Sequence, residues 1–122
     1  MKPQIQGTRF GTITVDGELL DHDVLILPSG AVRKRKKKLS KAVYGTSHKV
    51  SLAEIEYVYE HSGRLECLIV GAGQDGMLHL SPEAERFLEQ RGCRVVLAPT
   101  PAAIEPWNTA KGEVAGLFHV TC

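Results

Sequence analysis

Leu68-Ile69-Val70 runs into Gly71-Ala72-Gly73-Gln74-Asp75-Gly76, an apolar segment followed by glycines at the spacing that lets a backbone approach a pyrophosphate. In a dinucleotide site the third glycine opens a helix, and an acidic residue about 20 positions on takes the ribose hydroxyl. Here Met77-Leu78-His79-Leu80 alternates like an extended segment, and the next helix signal waits until Ser81-Pro82-Glu83. The following apolar run, Arg94 to Ala98, ends in Pro99-Thr100-Pro101 with no acid. These glycines therefore read as a tight loop at the end of a strand, and no nicotinamide, flavin or other cofactor is expected.

Other chemistry-bearing residues are dispersed. Ser47 and His48 are adjacent, a spacing that rarely forms a nucleophile and base pair, and no GxSxG elbow exists. His119 and Cys122, three apart, fall on opposite faces if a strand runs through both, so joint metal binding would need a bend. His22, between Asp21 and Asp23, reads as a turn or strand-edge residue, and His61 and His79 as surface or half-buried positions. Cys67 and Cys93 stand beside apolar residues and read as inert core thiols. No catalytic residue and no metal ligand is assigned.

A pocket argument remains. In an open sheet, ligands settle beyond the C-terminal ends of parallel strands. The loops after Val70 and Ala98 meet there if those strands are parallel neighbours. They would bring Gly71 and Gly73, which permit close backbone approach, to the N-terminus of a helix starting at Thr100-Pro101, where free amides favour an anion. The polar loop Tyr44-Gly45-Thr46-Ser47-His48 would complete the cleft or cap the next helix. Thr46, Ser47, His48, Gly71, Gly73 and Thr100 are thus candidates for binding a small anionic or phosphate-bearing ligand.

Arg33-Lys34-Arg35-Lys36-Lys37-Lys38 holds six of the fifteen basic residues. If the run is extended, period two places Arg33, Arg35 and Lys37 on one side and Lys34, Lys36 and Lys38 on the other, so neither side can face an apolar core. The run is expected to project as an edge, arm or loop, either guarding a sheet edge with lysines or recruiting an acidic partner. Aromatic residues that would stack on bases are not interleaved with it, and the formal net charge is only +1, so specific nucleic-acid binding is not expected.

The elements that must position these residues fall into two halves within one expected domain, 1–122. Residues 1–50 read as a β-meander and basic arm: Phe10, Ile13 and Val15, then Val24 to Leu27, broken by Asp16-Gly17 and Pro28-Ser29-Gly30. Residues 51–122 alternate helix and strand. Ser51 and Glu54 form a capping box before Leu52, Ile55, Val58 and Tyr59, and a buried strand spans Glu66 to Val70. Ser81-Pro82 opens a helix with Ala84, Phe87, Leu88 and Arg91 on one face, ended by Gly92. Strand Arg94 to Ala98, a helix capped by Thr100-Pro101 and strand Val114 to Val120 follow. Pro106 removes a backbone hydrogen bond, so that last helix should kink or restart near Glu105. This order predicts an α/β fold: a single three-layer domain, its mixed central sheet covered by helices, with an antiparallel N-terminal β portion.

With 43% hydrophobic and 24% charged residues, the composition is that of an ordinary globular protein. No apolar run approaches the roughly 20 residues of a membrane span, so no membrane partner is expected. Three cysteines without a CxxC pair or an apolar leader suggest reduced thiols in the cytoplasm.

Phe10-Gly11, Arg33-Lys34-Arg35-Lys36 with Leu39-Ser40-Lys41, Tyr44-Gly45-Thr46-Ser47-His48, Gly71-Ala72-Gly73-Gln74, Leu80-Ser81-Pro82, Pro99-Thr100-Pro101 and Phe118-His119-Val120-Thr121-Cys122 form an ordered set. The set resembles the Mth-domain family, from about Thr8 to Cys122. That family includes an adipogenesis-associated Mth-domain protein and, more distantly, a mitochondrial complex I assembly factor. The resemblance implies a three-layer α/β domain with a mixed sheet, and no particular reaction. Two functions follow. The preferred one is a cytoplasmic interaction or assembly-type module without catalysis, holding a protein partner by its basic arm, with the glycine-loop face as a further contact. The alternative is a small-molecule binding protein or enzyme using the glycine loop and helix N-termini.

Overall fold

The computed structural model describes residues 2–122. Strands β1 (Ile5–Arg9), β2 (Thr12–Val15) and β3 (Glu18–Leu20) form an antiparallel meander. Asp16 and Gly17 both take positive φ, 47° and 80°, as a two-residue hairpin turn requires, and they join β2 to β3.

A five-stranded sheet contains β4 (Val24–Ile26), β5 (Val32–Lys34), β7 (Cys67–Ala72), β9 (Arg94–Ala98) and β10 (Val114–His119), in the order β5-β4-β10-β7-β9. β10, β7 and β9 run parallel, whereas β4 and β5 are antiparallel additions, so the sheet is mixed. Val24 to Leu27 thus leaves the meander in which the sequence placed it and joins the central sheet. The intervening elements are α1 (Lys38–Tyr44), β6 (Lys49–Val50), α2 (Leu52–Ser62), β8 (His79–Leu80), α3 (Pro82–Gln90) and α4 (Thr100–Thr109). β6 and β8 pair in parallel, which gives the alternating segment after Gly76 its partner.

Alternation along the strands builds two cores. On one face Leu25, Leu68, Val70 and Leu117 pack with Ile55 and Val58 of α2 and Ala84 and Leu88 of α3. On the other, Val24, Ile26, Ile69 and Phe118 meet Ala103 and Trp107 of α4 together with Ile5, Ile13 and Val15 of the meander. The result is the expected three-layer α/β arrangement. No helix among the described residues is long and apolar enough to cross a membrane.

Local signals explain most helix ends. The Ser81 side chain accepts from Ala84 N at 3.1 Å with Pro82 at the first helical position, and Gly92, at φ 67°, follows the last turn of α3. α4 differs from expectation because it runs without interruption through Pro106. Trp107, fully buried and edge-on to Phe118 at 5.7 Å, holds that turn in place. The Lys2 ammonium caps the end by donating to the carbonyls of Trp107 and Ala110.

α1 carries no local sequence signature of a helix. Its N-cap Lys37 makes no side-chain cap bond, and the buried Ser40 interrupts any apolar face. Gly45, in the left-handed region at φ 71°, ends it.

Candidate functional site: a buried charge centre beneath a basic groove

The helices after β7 and β9 lie on opposite faces of the sheet, so the two loops diverge at the C-terminal edge, with Gly71 opposite Ala98. The starts of both loops lie together there, bonded through Gly73 and Thr100, and their polar groups bond within the fold. Thr100 is fully buried, and its hydroxyl accepts from Gly73 N at 2.9 Å while donating to the His119 carbonyl. The N-cap of α4 is therefore Pro99, and Thr100 ties three segments together instead of capping a helix. The close approach that glycine permits is also taken: a Cβ on Gly73 would sit 2.2 Å from the main-chain carbon of Cys122, and one on Gly71 would sit 2.8 Å from the Thr100 hydroxyl. Gln74 N donates to Thr121 O at 2.7 Å, and Met77 N to Cys122 O at 3.1 Å.

The Tyr44–His48 loop lies beside this edge. Thr46 Oγ1 accepts from His48 N at 3.1 Å, closing a local turn. Ser47 contributes its carbonyl, which accepts from Arg35 Nη2 at 2.7 Å. The His48 ring stands edge-on to His119, with centroids 5.2 Å apart, and its Nε2 lies 3.7 Å from Cys122 Sγ. β10 ends at His119, so the strand alternation that separated His119 from Cys122 stops, and both now neighbour His48.

The basic run departs furthest from the expected solvated edge. Arg33 and Lys34 lie exposed on the edge strand β5, Lys36 and Lys37 are exposed, and Lys38 opens α1. Arg35, however, turns inward and has a fully buried side chain. β5 stops at Lys34, so the period-two argument no longer applies to the next residue. Arg35 Nε and Nη2 donate to the two carboxylate oxygens of Glu54 at 2.8 and 3.1 Å, and Nη1 donates to Asp23 Oδ2 at 3.0 Å. The planar fork engages both acids at once.

Each acid is held further. Asp23 Oδ2 accepts from His119 Nδ1 at 2.7 Å and Oδ1 from Val120 N at 2.9 Å, while His119 Nε2 meets the Thr121 hydroxyl at 3.1 Å. Ser40 Oγ donates to Glu54 and accepts from Ser51 N at 2.9 Å. Only half of the expected capping box forms: Ser51 Oγ accepts from Glu54 N, but the Glu54 carboxylate is drawn to Arg35 and Ser40 takes its capping role. Among the described residues no buried side-chain nitrogen or oxygen lacks a partner. Burial alone would push the Asp23 carboxyl up, but hydrogen bonds from His119 and Val120 and the nearby Arg35 charge hold it below the ordinary value of 3.8. Burial opposes the Arg35 charge too, and the Glu54 and Asp23 carboxylates outweigh it, raising its pKa.

Asp23, Glu54, Ser40 and His119 are not legible as a unit in the sequence, because their meeting point lies between distant segments. No local pattern signals the pairing, since Glu54 lies 19 residues after Arg35.

With Arg35 anchored inward, its neighbours frame an open groove of about 510 Å³ lined by Lys34, Lys36, Lys37, Lys38, Leu39 and Tyr57, along with Arg35 itself. Lys36 Nζ lies 5.8 Å from the Tyr57 ring centroid, and Tyr57 stacks on His61 at 4.0 Å. A smaller cavity of about 100 Å³, lined by His22, Asp23, Lys34, Arg35 and Lys37, lies on the Asp23 side of the same arm. The groove combines an aromatic and aliphatic lining with a lysine rim. That composition suits an anionic segment with some apolar character.

Residues 5–119 match the family described as a protein of unknown function, DUF498/DUF598. No curated protein is significantly similar to the chain. The crystal structure of the conserved hypothetical protein PH1505 from Pyrococcus horikoshii is similar at 37% identity and a TM-score of 0.83, covering 98% of this chain and 99% of that one. A structure named MT938 is similar at 31% identity and a TM-score of 0.81, covering 99% and 100%. The fold is shared by a Bordetella pertussis protein described as a Mth938-like domain, at 19% identity and a TM-score of 0.62, covering 97% and 85%. The chain therefore belongs to the DUF498/DUF598 family of Mth938-like domains.

Proposed function

We propose that the protein is an interaction module that holds an acidic segment of a partner protein in the groove between the basic run and Tyr57. The carrying observation is that Lys34, Lys36, Lys37 and Lys38 rim one groove around Tyr57 and Leu39 while Arg35 is locked beneath them. A lysine run that served only to keep a sheet edge solvated would need neither an aromatic lining nor a buried anchor. Glutamates or aspartates of the partner would pair with the lysine rim, and an apolar side chain between them would pack on Tyr57 and Leu39. The reading needs no turnover, and it places the protein in the cytoplasm, where three unpaired thiols stay reduced. A small anion at Thr46, Ser47, His48, Gly71, Gly73 and Thr100 is the other reading. Such a ligand would have to displace Thr121 and Cys122 from the amides of Gln74, Asp75 and Met77.

Fluorescence anisotropy of a labelled peptide of alternating Glu and Leu tests the proposal. Binding is expected at low ionic strength, weakening as salt rises, because rim charges are screened. It should be lost when Lys34, Lys36, Lys37 and Lys38 are all changed to Gln, and weakened by Tyr57→Ala. Equal binding by the lysine variant would overturn the reading.

A further inference from the structure

We infer that Cys122 is a peroxide-reactive thiol site in which His48 acts as the proton-transfer partner. The three cysteines occupy contrasting environments. Cys67 and Cys93 are buried at the N-terminal ends of β7 and β9, whereas Cys122 is half-buried beyond the C-terminal end of β10 with its sulfur 3.7 Å from His48 Nε2. Burial pushes the Cys67 thiol up and the Cys93 thiol to about 11, so both stay protonated and shielded. The His48 backbone NH bonds to Thr46 Oγ1, and its ring forms a T-shaped pair with the His119 ring, itself tied to Asp23. An imidazole held within reach of a thiol is the arrangement that activates sulfur as a nucleophile.

The step is a two-electron oxidation by a hydroperoxide. His48 Nε2 takes the thiol proton, and the sulfur attacks one peroxide oxygen. The S–O bond forms as the O–O bond breaks. The leaving oxygen takes the proton back from His48, which gives water from hydrogen peroxide and a sulfenic acid on Cys122. A small oxidant suits a half-buried sulfur. The parallel strands run about 3.3 Å per residue from the edge carrying Cys67 and Cys93 to the edge carrying Cys122, so neither can resolve the sulfenic acid within the same chain. It should persist, or condense with an external thiol.

Treating the native protein with hydrogen peroxide in the presence of a dimedone trap, with each cysteine quantified by mass spectrometry, tests the site. The reference is the same residue in the urea-denatured chain, where His48 no longer stands beside the sulfur. We expect Cys122 to be trapped first, about three- to thirtyfold faster in the native than in the denatured protein, with Cys67 and Cys93 slower in the native state. His48→Gln should remove most of the native advantage at pH 7, and the gap should narrow at pH 9 as solvent supplies the thiolate. A native rate no faster than the denatured one would overturn the inference, whether or not the variant folds. So would an unchanged rate in a folded His48→Gln protein.

Discussion

The glycine loop and the basic run behave in opposite ways. Gly71 and Gly73 look from their spacing like an opening for a ligand, yet the space their missing side chains leave is filled by Thr100, His119 and Cys122. The basic run looks like a uniformly solvated edge, yet its third residue is the most deeply paired charge described, and its lysines border a groove. Glycine reports that something approaches the backbone closely; it does not say whether that neighbour is a ligand or the chain itself. A run of like charges reports that most members face water, and one of them can still be an anchor if partners of opposite charge arrive from elsewhere. In this molecule those partners, Glu54 and Asp23, arrive from α2 and the segment before β4.

Breaking the anchor should give the largest effect. Arg35→Ala leaves Asp23 and Glu54 buried without their cation, a loss of about 3–5 kcal/mol, which should lower the thermal midpoint on the order of 15 °C. Next comes Gly73→Ala, where a Cβ meets main-chain atoms at 2.2 Å in a backbone at φ 93°; a loss of about 2–4 kcal/mol is expected from chemical denaturation. Gly45→Ala has a similar backbone, at φ 71°, with nothing within 4 Å, and should cost only about 1 kcal/mol. That pair separates close approach from backbone conformation.

Acid offers a milder probe of the anchor. Because the folded Asp23 carboxyl lies below its ordinary 3.8, its ionisation contributes stability that is complete above that value and lost as pH falls through the folded one. The stability gap between the native protein and Asp23→Asn should therefore hold steady near neutrality and close below about pH 4. The smallest effect belongs to the rim: Lys36→Gln or Lys37→Gln should change stability by less than about 0.5 kcal/mol in the same denaturation experiment.

The elements that could be read from sequence are those specified by neighbouring residues. Ser81-Pro82 with Gly92 brackets α3, Arg94 to Ala98 is β9, and Asp16-Gly17 is the hairpin turn, because each depends on a few consecutive positions. α1 was missed because Lys37 supplies no cap and Ser40 takes the place of an apolar contact. Arg35 was misplaced because its acids lie 12 and 19 residues away, beyond any local pattern. Thr100 has the residue type and position of a helix cap, and only the His119 carbonyl, 19 residues on, shows why its hydroxyl points elsewhere. The candidate residues His48, Gly73 and Thr100 do gather around His119, and Ser47 bonds Arg35, but these contacts are internal ones.

An NMR titration of the isotopically labelled protein with the Glu-Leu peptide compares the two regions in one experiment. The account predicts saturable shifts in the amides of residues 34–39 and in the Tyr57 ring, with those of residues 71–77 unmoved. Shifts concentrated at residues 71–77 and Thr100, with the basic run silent, would contradict it.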